Sequence, residues 1–400
     1  MANALITPTA VSRECGRILH QKLNFVGACS PQYDDSYKNG GGTVKGKFGP
    51  TLKYRLPNEY TVRTGINMSA QDTTESTVDI TVSTVKGVDV NFTSQELALS
   101  LDDFSKRILE PAMTRLAANI EADALSMYQD VYNLVDGDTV AFGFNSVSDA
   151  TTLLTENLAP LSKRAMIMNP GHANKFRKDT KGLFHDSSNI EKQYREGIIG
   201  RTAGFEMYEN TLLVPHATGT AAKVSTYLVN GAGQTGAGLI VDTGVTTFAK
   251  GDVITIAGVN RVHPETKVST GVAQQFVVTA AYAGGAGTLA ISPSIVTSGG
   301  SQNVTGSPAD NAAITKVGAG ASETLVQSLA FHEDAFAFVT ADLPLPEGTD
   351  WAAREVIDGI SVSIVRDFVI TDRSFPCRID VLYGYKTVRP QLACRVHNDG

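Results

Sequence analysis

Three glycines are the residues of this chain most suggestive of chemistry. Gly231, Gly233 and Gly236, in the run GAGQTG, fit the G-x-G-x-x-G spacing of a dinucleotide site. In such a site the third glycine opens a helix whose N-terminus holds a pyrophosphate. A strand pattern at 224–229 precedes the run, as that chemistry requires. The continuation, Ala237-Gly-Leu-Ile-Val-Asp242, alternates like a strand, so a phosphate would meet no helix end. The run reads better as a flexible domain junction. A dinucleotide-binding oxidoreductase built on these glycines remains the alternative function.

Other catalytic signatures are missing from the sequence. Gly42 to Lys47 lacks the Walker spacing and its hydroxyl residue, and His332-Glu-Asp334 has no second histidine four positions on. No G-x-S-x-G occurs, and the 7 histidines do not cluster. Cys15, Cys29, Cys377 and Cys394 form no C-x-x-C pair and read as buried free thiols in a reducing compartment. The chain reads as a non-enzyme, with no catalytic residue, metal or cofactor expected. It opens without a basic n-region and apolar h-region, and no apolar run is long enough for a membrane span. The net charge of −7, with 19% charged residues, lacks the basic footprint of a nucleic-acid binder.

Charge is nonetheless concentrated locally. Residues 36–66 carry Lys38, Lys45, Lys47, Lys53, Arg55 and Arg63 against Glu59 alone. Glycines and prolines punctuate two short strand patterns there, at 43–48 and 52–56. The segment has too little apolar material for a core of its own, so it reads as a projecting β-tongue that finds its partner elsewhere.

The elements around it follow from periodicity. Val11, Cys15, Ile18, Leu19 and Leu23 make one face of a helix at about 9–24. Residues 74–93 alternate, with Val78, Ile80, Val82, Val85, Val88, Val90 and Phe92. Ser100 caps a short helix at 100–109. A long helix then starts at Glu110 or Pro111, since proline is tolerated only in a first turn. Its stripe is Leu109, Met113, Leu116, Ala117, Ile120, Ala124, Met127/Tyr128, Val131 and Leu134, ending before the turn Asp136-Gly137-Asp138. That is about 24 residues, or about 36 Å at ~1.5 Å per residue. Residues 139–230 mix helices (148–158, the segment after Pro170, 190–196) with strands such as 165–168. From 235 to 319 charges thin out and strands appear at 238–241, 253–257, 274–281, 288–291 and 312–317, a small barrel. Because α/β character resumes at 325–339 and long alternating strands follow at 358–396, the barrel interrupts another domain.

Several segments in this order resemble one family. They are LAANIEADAL (116–125), MNPGHANKF (168–176), Tyr194-Arg-Glu-Gly-Ile-Ile with Ala203-Gly-Phe205, Ala217-Thr-Gly219, AKGDVITIAGV (249–259) and CRIDVLYGYKTVRPQLACRV (377–396). They resemble the major capsid proteins of tailed phages, whose HK-ninety-seven-like fold is shared with herpesvirus capsid proteins. The inserted barrel makes the chain most similar to short-tailed-phage coat proteins. The resemblance implies an α+β capsid fold with an all-β insertion domain. Residues 1–35 would be an N-terminal arm, 36–70 an extended β-loop lapping a neighbour, and 71–138 a peripheral domain with the spine helix. Residues 139–234 and 320–357 would be the two parts of an axial domain, 235–319 the insertion domain, and 358–400 C-terminal strands shared by the axial and peripheral domains.

The implied function is a major coat protein that assembles into pentamers and hexamers of an icosahedral shell around double-stranded DNA, without sequence-specific binding. Implied partners are copies of itself, a portal and a separate scaffolding protein, because no long N-terminal coiled coil precedes the fold; a decoration protein is a further one. Assembly would occur in the host cytoplasm. A phage tail component is a second alternative. On this reading Lys45, Lys47, Lys53 and Arg55 meet carboxylates of a neighbouring subunit. Glu110, Glu121, Asp123 and Asp130 on the helix supply an acidic surface. A crosslink from Lys45 or Lys47 to Asn398 is conceivable in such a family.

Overall fold

The computed structural model describes residues 8–31, 51–63, 65–68, 70–72, 75–92, 108–137, 141–180, 200–318, 320–349, 351–357, 360–370 and 375–398. The strand expected at 43–48, the helices at 100–109 (up to 107) and 190–196, and Lys45 and Lys47 lie outside them. The chain divides into two units. The first takes Met1–Arg55, Thr77–Leu125 and Phe336–Val388; the second takes Leu56–Ser76, Ser126–Ala335 and Arg389–Gly400.

The first unit is built on the strand Phe375–Thr387. Its Cys377, Ile379, Val381 and Tyr383 are buried, two apart, as a one-face pattern requires. Thr84–Phe92 pairs along one edge, in register Phe92↔Phe375 to Thr84↔Tyr383. Ile360–Arg366 and Phe336–Ala341 pair along the other, and Trp351–Ile357 extends the sheet. The resemblance implies that 320–357 belongs with the α/β segment 139–234. Here those strands belong to this sheet, because their ladder partners lie at 360–366 and 382–387. The helix Pro8–Lys22 buries Val11, Cys15, Ile18 and Leu19, and packs on Trp351–Ile357, on Ile360–Arg366 and on the spine helix.

The spine helix runs Glu110–Leu125 and buries Ala112, Met113, Leu116, Ala117, Ile120, Ala124 and Leu125. It is 16 residues long, shorter than its apolar stripe predicts. Ser126–Asp130 tightens into a 3₁₀ turn, and Leu134–Gly137 is a strand rather than the end of a helix. Met127, Val131 and Leu134 are buried as the stripe demands. However, their backbone continues into a parallel ladder with Ala393–Asn398, with Leu134 opposite Arg395. Long-range pairing overrides a local period.

In the second unit a sheet runs in the order Leu134–Gly137, Ala393–Asn398, Thr324–His332, Arg164–Met168, Phe205–Glu209 and Arg201–Thr202, with His216–Ala217 beside Thr324 and Leu325. Met166, Ile167 and Met168 are fully buried. Helices Phe144–Glu156 and Pro170–Thr180 accompany it. His172, on the second helix, stacks on Phe142 at 4.3 Å and sits 2.8 Å from Ser328 Oγ. Burial, aided by the charges of Lys175 and His397, pushes its pKa down from 6.5 to about 4. Between those values the unfolded chain binds more protons than the folded one, so stability is full above pH 6.5 and falls as pH drops toward 4. This group should cost roughly 3 kcal/mol across that window. His172→Gln should remove that part of the slope in urea unfolding at stepped pH.

The unit also holds a closed six-stranded barrel, in the order Val224–Val229, Gly236–Asp242, Gly287–Ile295, Ser269–Val278, Val253–Val262 and Ala313–Val317. Tyr227, Leu239, Phe248, Ile254, Phe276, Leu289 and Ile314 are among its core. It begins a strand earlier than the boundary at 235 expected from composition. Val224–Val229 bridges Gly236–Asp242 and Ala313–Val317, and without it two edges would stay open. The barrel is an insertion: Thr218 N donates to Glu323 O at 2.9 Å and Ser322 N to Gly219 O at 3.0 Å, so the chain leaves and returns at one place.

The GAGQTG run is the turn between the first two barrel strands. Gly231, Gly233 and Gly236 have φ of 89°, 80° and 89°, the left-handed region that glycine adopts without strain. Gln234 ties the loop down, donating to the Asn230, Gly231 and Ile240 carbonyls and accepting from Ile240 N. A hydrogen-bonded hairpin stands where a flexible junction was expected, and no helix follows to hold a pyrophosphate.

Candidate assembly surfaces

The acidic residues of the spine helix do not share one role. Glu121 is 1% exposed, and its carboxylate accepts from Phe25 N at 2.5 Å and Val26 N at 3.3 Å. Those amides open the short helix Asn24–Ala28, whose N-cap Leu23 gives no side-chain bond. A carboxylate from a different helix therefore caps it and complements its dipole. Expected from sequence at an intersubunit surface, Glu121 is instead an internal tether, because this turn of the helix faces its own chain. Glu121→Ala should cost about 2–3 kcal/mol, read by urea unfolding, since two buried amides lose a charged acceptor.

Asp123 is engaged within the chain as well, 2.7 Å from Lys86 Nζ and accepting from Tyr383 OH at 2.5 Å. Asp130 lies in the 3₁₀ turn beyond the helix and meets Lys250 Nζ at 3.6 Å. Glu110 stands exposed in the first helical turn. Of the four acids, it keeps the open position that contact with another molecule needs.

In the tongue, Thr51–Arg55 pairs antiparallel with Thr77–Thr81. Leu52, Tyr54, Val78 and Ile80 form the more buried face, while Lys53, Arg55, Thr77 and Asp79 are exposed. Lys53 sits directly opposite Asp79, so the basic arm runs beside an acidic residue of its own hairpin. Two strands alone are marginal in water.

The segment that joins those two strands in sequence carries a feature that charge reasoning missed. Within Leu56–Ser76, Tyr60 is 56% exposed, Val62 93%, Ile66 97% and Met68 84%. Four large apolar side chains open to water within nine residues are unlike the scattered singles of an ordinary surface. The stretch is clasped by Gln71, which accepts from Thr61 N and Oγ1 at 2.8 Å and donates to Thr61 O at 2.6 Å. The signal was in the sequence as apolar residues in a segment without a core.

A buried charged cluster joins barrel and sheet inside the second unit. Asp252 Oδ1 lies 3.0 Å from His216 Nε2, and Oδ2 accepts from Gly219 N at 3.0 Å and Ala249 N at 2.8 Å. Burial alone would raise its pKa, but those hydrogen bonds hold it below the ordinary carboxylate value. Arg395, 2% exposed, donates through Nη2 to Gly251 O at 2.7 Å. Lys316, 1% exposed, donates to Gly320 O at 2.5 Å. Sequence reasoning assigned none of these residues a role, since their burial and partners are set by long-range packing. All four cysteines are buried and free, and no group of metal-ligating side chains occurs among the described residues.

A family model described as P22 coat protein - gene protein 5 matches residues 52–395. Among solved structures the chain is similar to one from Mycobacterium phage Che8, at 14% identity and a TM-score of 0.45, over 87% of this chain and 85% of the other. It is also similar to the capsid of Ralstonia phage GP4, at 9% identity and a TM-score of 0.43, over 90% of this chain and 86% of that one. The I-domain of the CUS-3 coat protein matches at 29% identity and a TM-score of 0.19, over 23% of this chain and 95% of that domain. No curated protein matches the chain.

Proposed function

The chain belongs to the P22 coat protein family and is a phage major capsid protein, and from that premise we propose how its copies join. Subunits assemble into pentamers and hexamers of a closed icosahedral shell around double-stranded DNA. The tongue of each subunit docks on a neighbour. The observation that carries this is the apolar tip: Val62, Ile66 and Met68, each more than four-fifths exposed, are left uncovered among the described residues and would be buried by a neighbouring subunit. In this reading the first unit, with the spine helix, is peripheral, the second is axial, and the barrel is its insertion domain. A separate scaffolding protein and a portal act in assembly, which takes place in the host cytoplasm.

Charge sets register and the tip supplies most of the affinity. Exposed ion pairs are worth only ~0.2–1 kcal/mol each, whereas each large apolar side chain buried is worth about 1.5–3 kcal/mol. Lys53 and Arg55, with Lys45 and Lys47, face carboxylates of the neighbour, Glu110 first among them. Lys53→Gln with Arg55→Gln should slow assembly several-fold and flatten its salt dependence, with the subunit's melting midpoint as the control for folding. Light scattering at two salt concentrations would show it, and unchanged kinetics would refute the charge contact. Electron microscopy of the chain co-expressed with a scaffolding protein tests the function as a whole. Closed shells are expected; tubes would favour a tail component.

A further inference from the structure

We propose that the cavity between the barrel and the sheet in the second unit binds one small monovalent anion of the halide class, held by Arg395 and Lys316. The cavity measures about 10 Å³, room for about one water molecule, and is lined among others by Lys316, Arg395, Asp252, His216, Gln327 and Gly251. A chloride ion takes up about the space of a water molecule, while phosphate or a carboxylic acid would not fit.

The charge balance around the cavity calls for an anion. Arg395, Lys316 and Asp252 are all at least 98% buried. Asp252 spends both oxygens on His216 and on two backbone amides. The other carboxylates nearby are matched or wet. Asp136 pairs with Lys223 at 3.1 Å and approaches His397 at 3.8 Å, Asp130 pairs with Lys250 at 3.6 Å, and Glu323, which acts on Lys316, is exposed. Two buried cations, Arg395 and Lys316, therefore face one buried carboxylate, Asp252. An uncompensated buried charge is costly, and a counter-ion is a direct remedy.

The donors are present too. Arg395 Nε is buried with no hydrogen-bond acceptor, although Nη2 is satisfied. Lys316 Nζ has one bond, to Gly320 O, and an ammonium carries three protons. Arg395 comes from the sheet and Lys316 from the barrel. An ion between them would tie the insertion to its host.

The test uses the full-length chain at fixed ionic strength in sodium chloride, bromide and gluconate, the last too bulky to enter. The thermal midpoint should rise in chloride and bromide over gluconate and saturate with concentration. Lys316→Met, which balances the charges, should lose that difference. The wild type should also broaden the quadrupolar chloride NMR line, and bromide should reverse the broadening. Equal midpoints in the three salts with an unbroadened line would assign the cavity to water and overturn the proposal. A halide effect that persists in Lys316→Met would overturn it as well. Should that variant not fold, the wild-type line and its reversal by bromide decide alone.

Discussion

Replacing Val62 and Ile66 together by aspartate should abolish shell formation while leaving the subunit folded. Both side chains are more than nine-tenths exposed, so their removal deletes almost no packing in the isolated chain. Surface changes of this kind stay within about 0.5 kcal/mol of neutral. In the assembled state the same positions would be covered, and a carboxylate there loses the burial of two apolar side chains, about 3–6 kcal/mol. It adds the cost of an unpaired buried charge. Every tongue in a shell repeats the loss, so assembly should fail outright rather than weaken. Sedimentation and electron microscopy would read the particles, and circular dichroism melting the fold. Normal shells from the double variant would remove the tip from the interface.

Arg164→Ala should be the most destabilising single change, at about 4 kcal/mol, through the loss of several charge-assisted bonds and the exposure of buried carbonyls. Arg164 is 2% exposed at the start of the strand Arg164–Met168. Its Nη2 donates to Ala159 O at 2.6 Å and Thr155 Oγ1 at 3.2 Å, its Nε to Pro160 O at 2.7 Å, and its Nη1 to Thr151 O at 3.5 Å. The guanidinium thus ties the loop carbonyls of Ala159 and Pro160 to the last turn of the helix Phe144–Glu156 through Thr155 Oγ1, at an end where the dipole favours a cation. Burial lowers its pKa, which remains that of a fully charged group. Arg164→Lys should recover little, because one ammonium cannot span carbonyls that a planar fork reaches. Urea unfolding measures the loss, and hydrogen exchange should show the helix's last turn opening first. A variant within 1 kcal/mol of wild type, on the scale of a single ordinary hydrogen bond, would show that water replaces the cap.

Some of this was legible in the residues and some was not. The strands at 77–92 and 375–387 are visible because one buried face forces a period of two. The barrel is visible from 236 onward for the same reason. Its first strand is less so, because Val224–Val229 alternates equally well as a strand of the α/β part; only closure assigns it. GAGQTG shows how a spacing can match a binding fingerprint by turn chemistry alone. Glu121 shows the limit for charges. Residue type marks an acid on a helix, while its direction depends on which turn faces the chain's own amides.

By itself the sequence determined, through the resemblance of its ordered segments, the coat-protein family and the α+β class, and, through its own patterns, an inserted β unit and a helix that starts at Glu110 or Pro111. Those patterns are local periods and proline and glycine geometry, which act over a few residues whatever lies around them. Tertiary structure alone decided where the spine helix ends, which unit owns 336–357, and which carboxylates are spent inside the chain. It also left Val62, Ile66 and Met68 open to solvent. These outcomes depend on pairings across hundreds of residues, such as Leu134 with Arg395, and no local pattern encodes the partner.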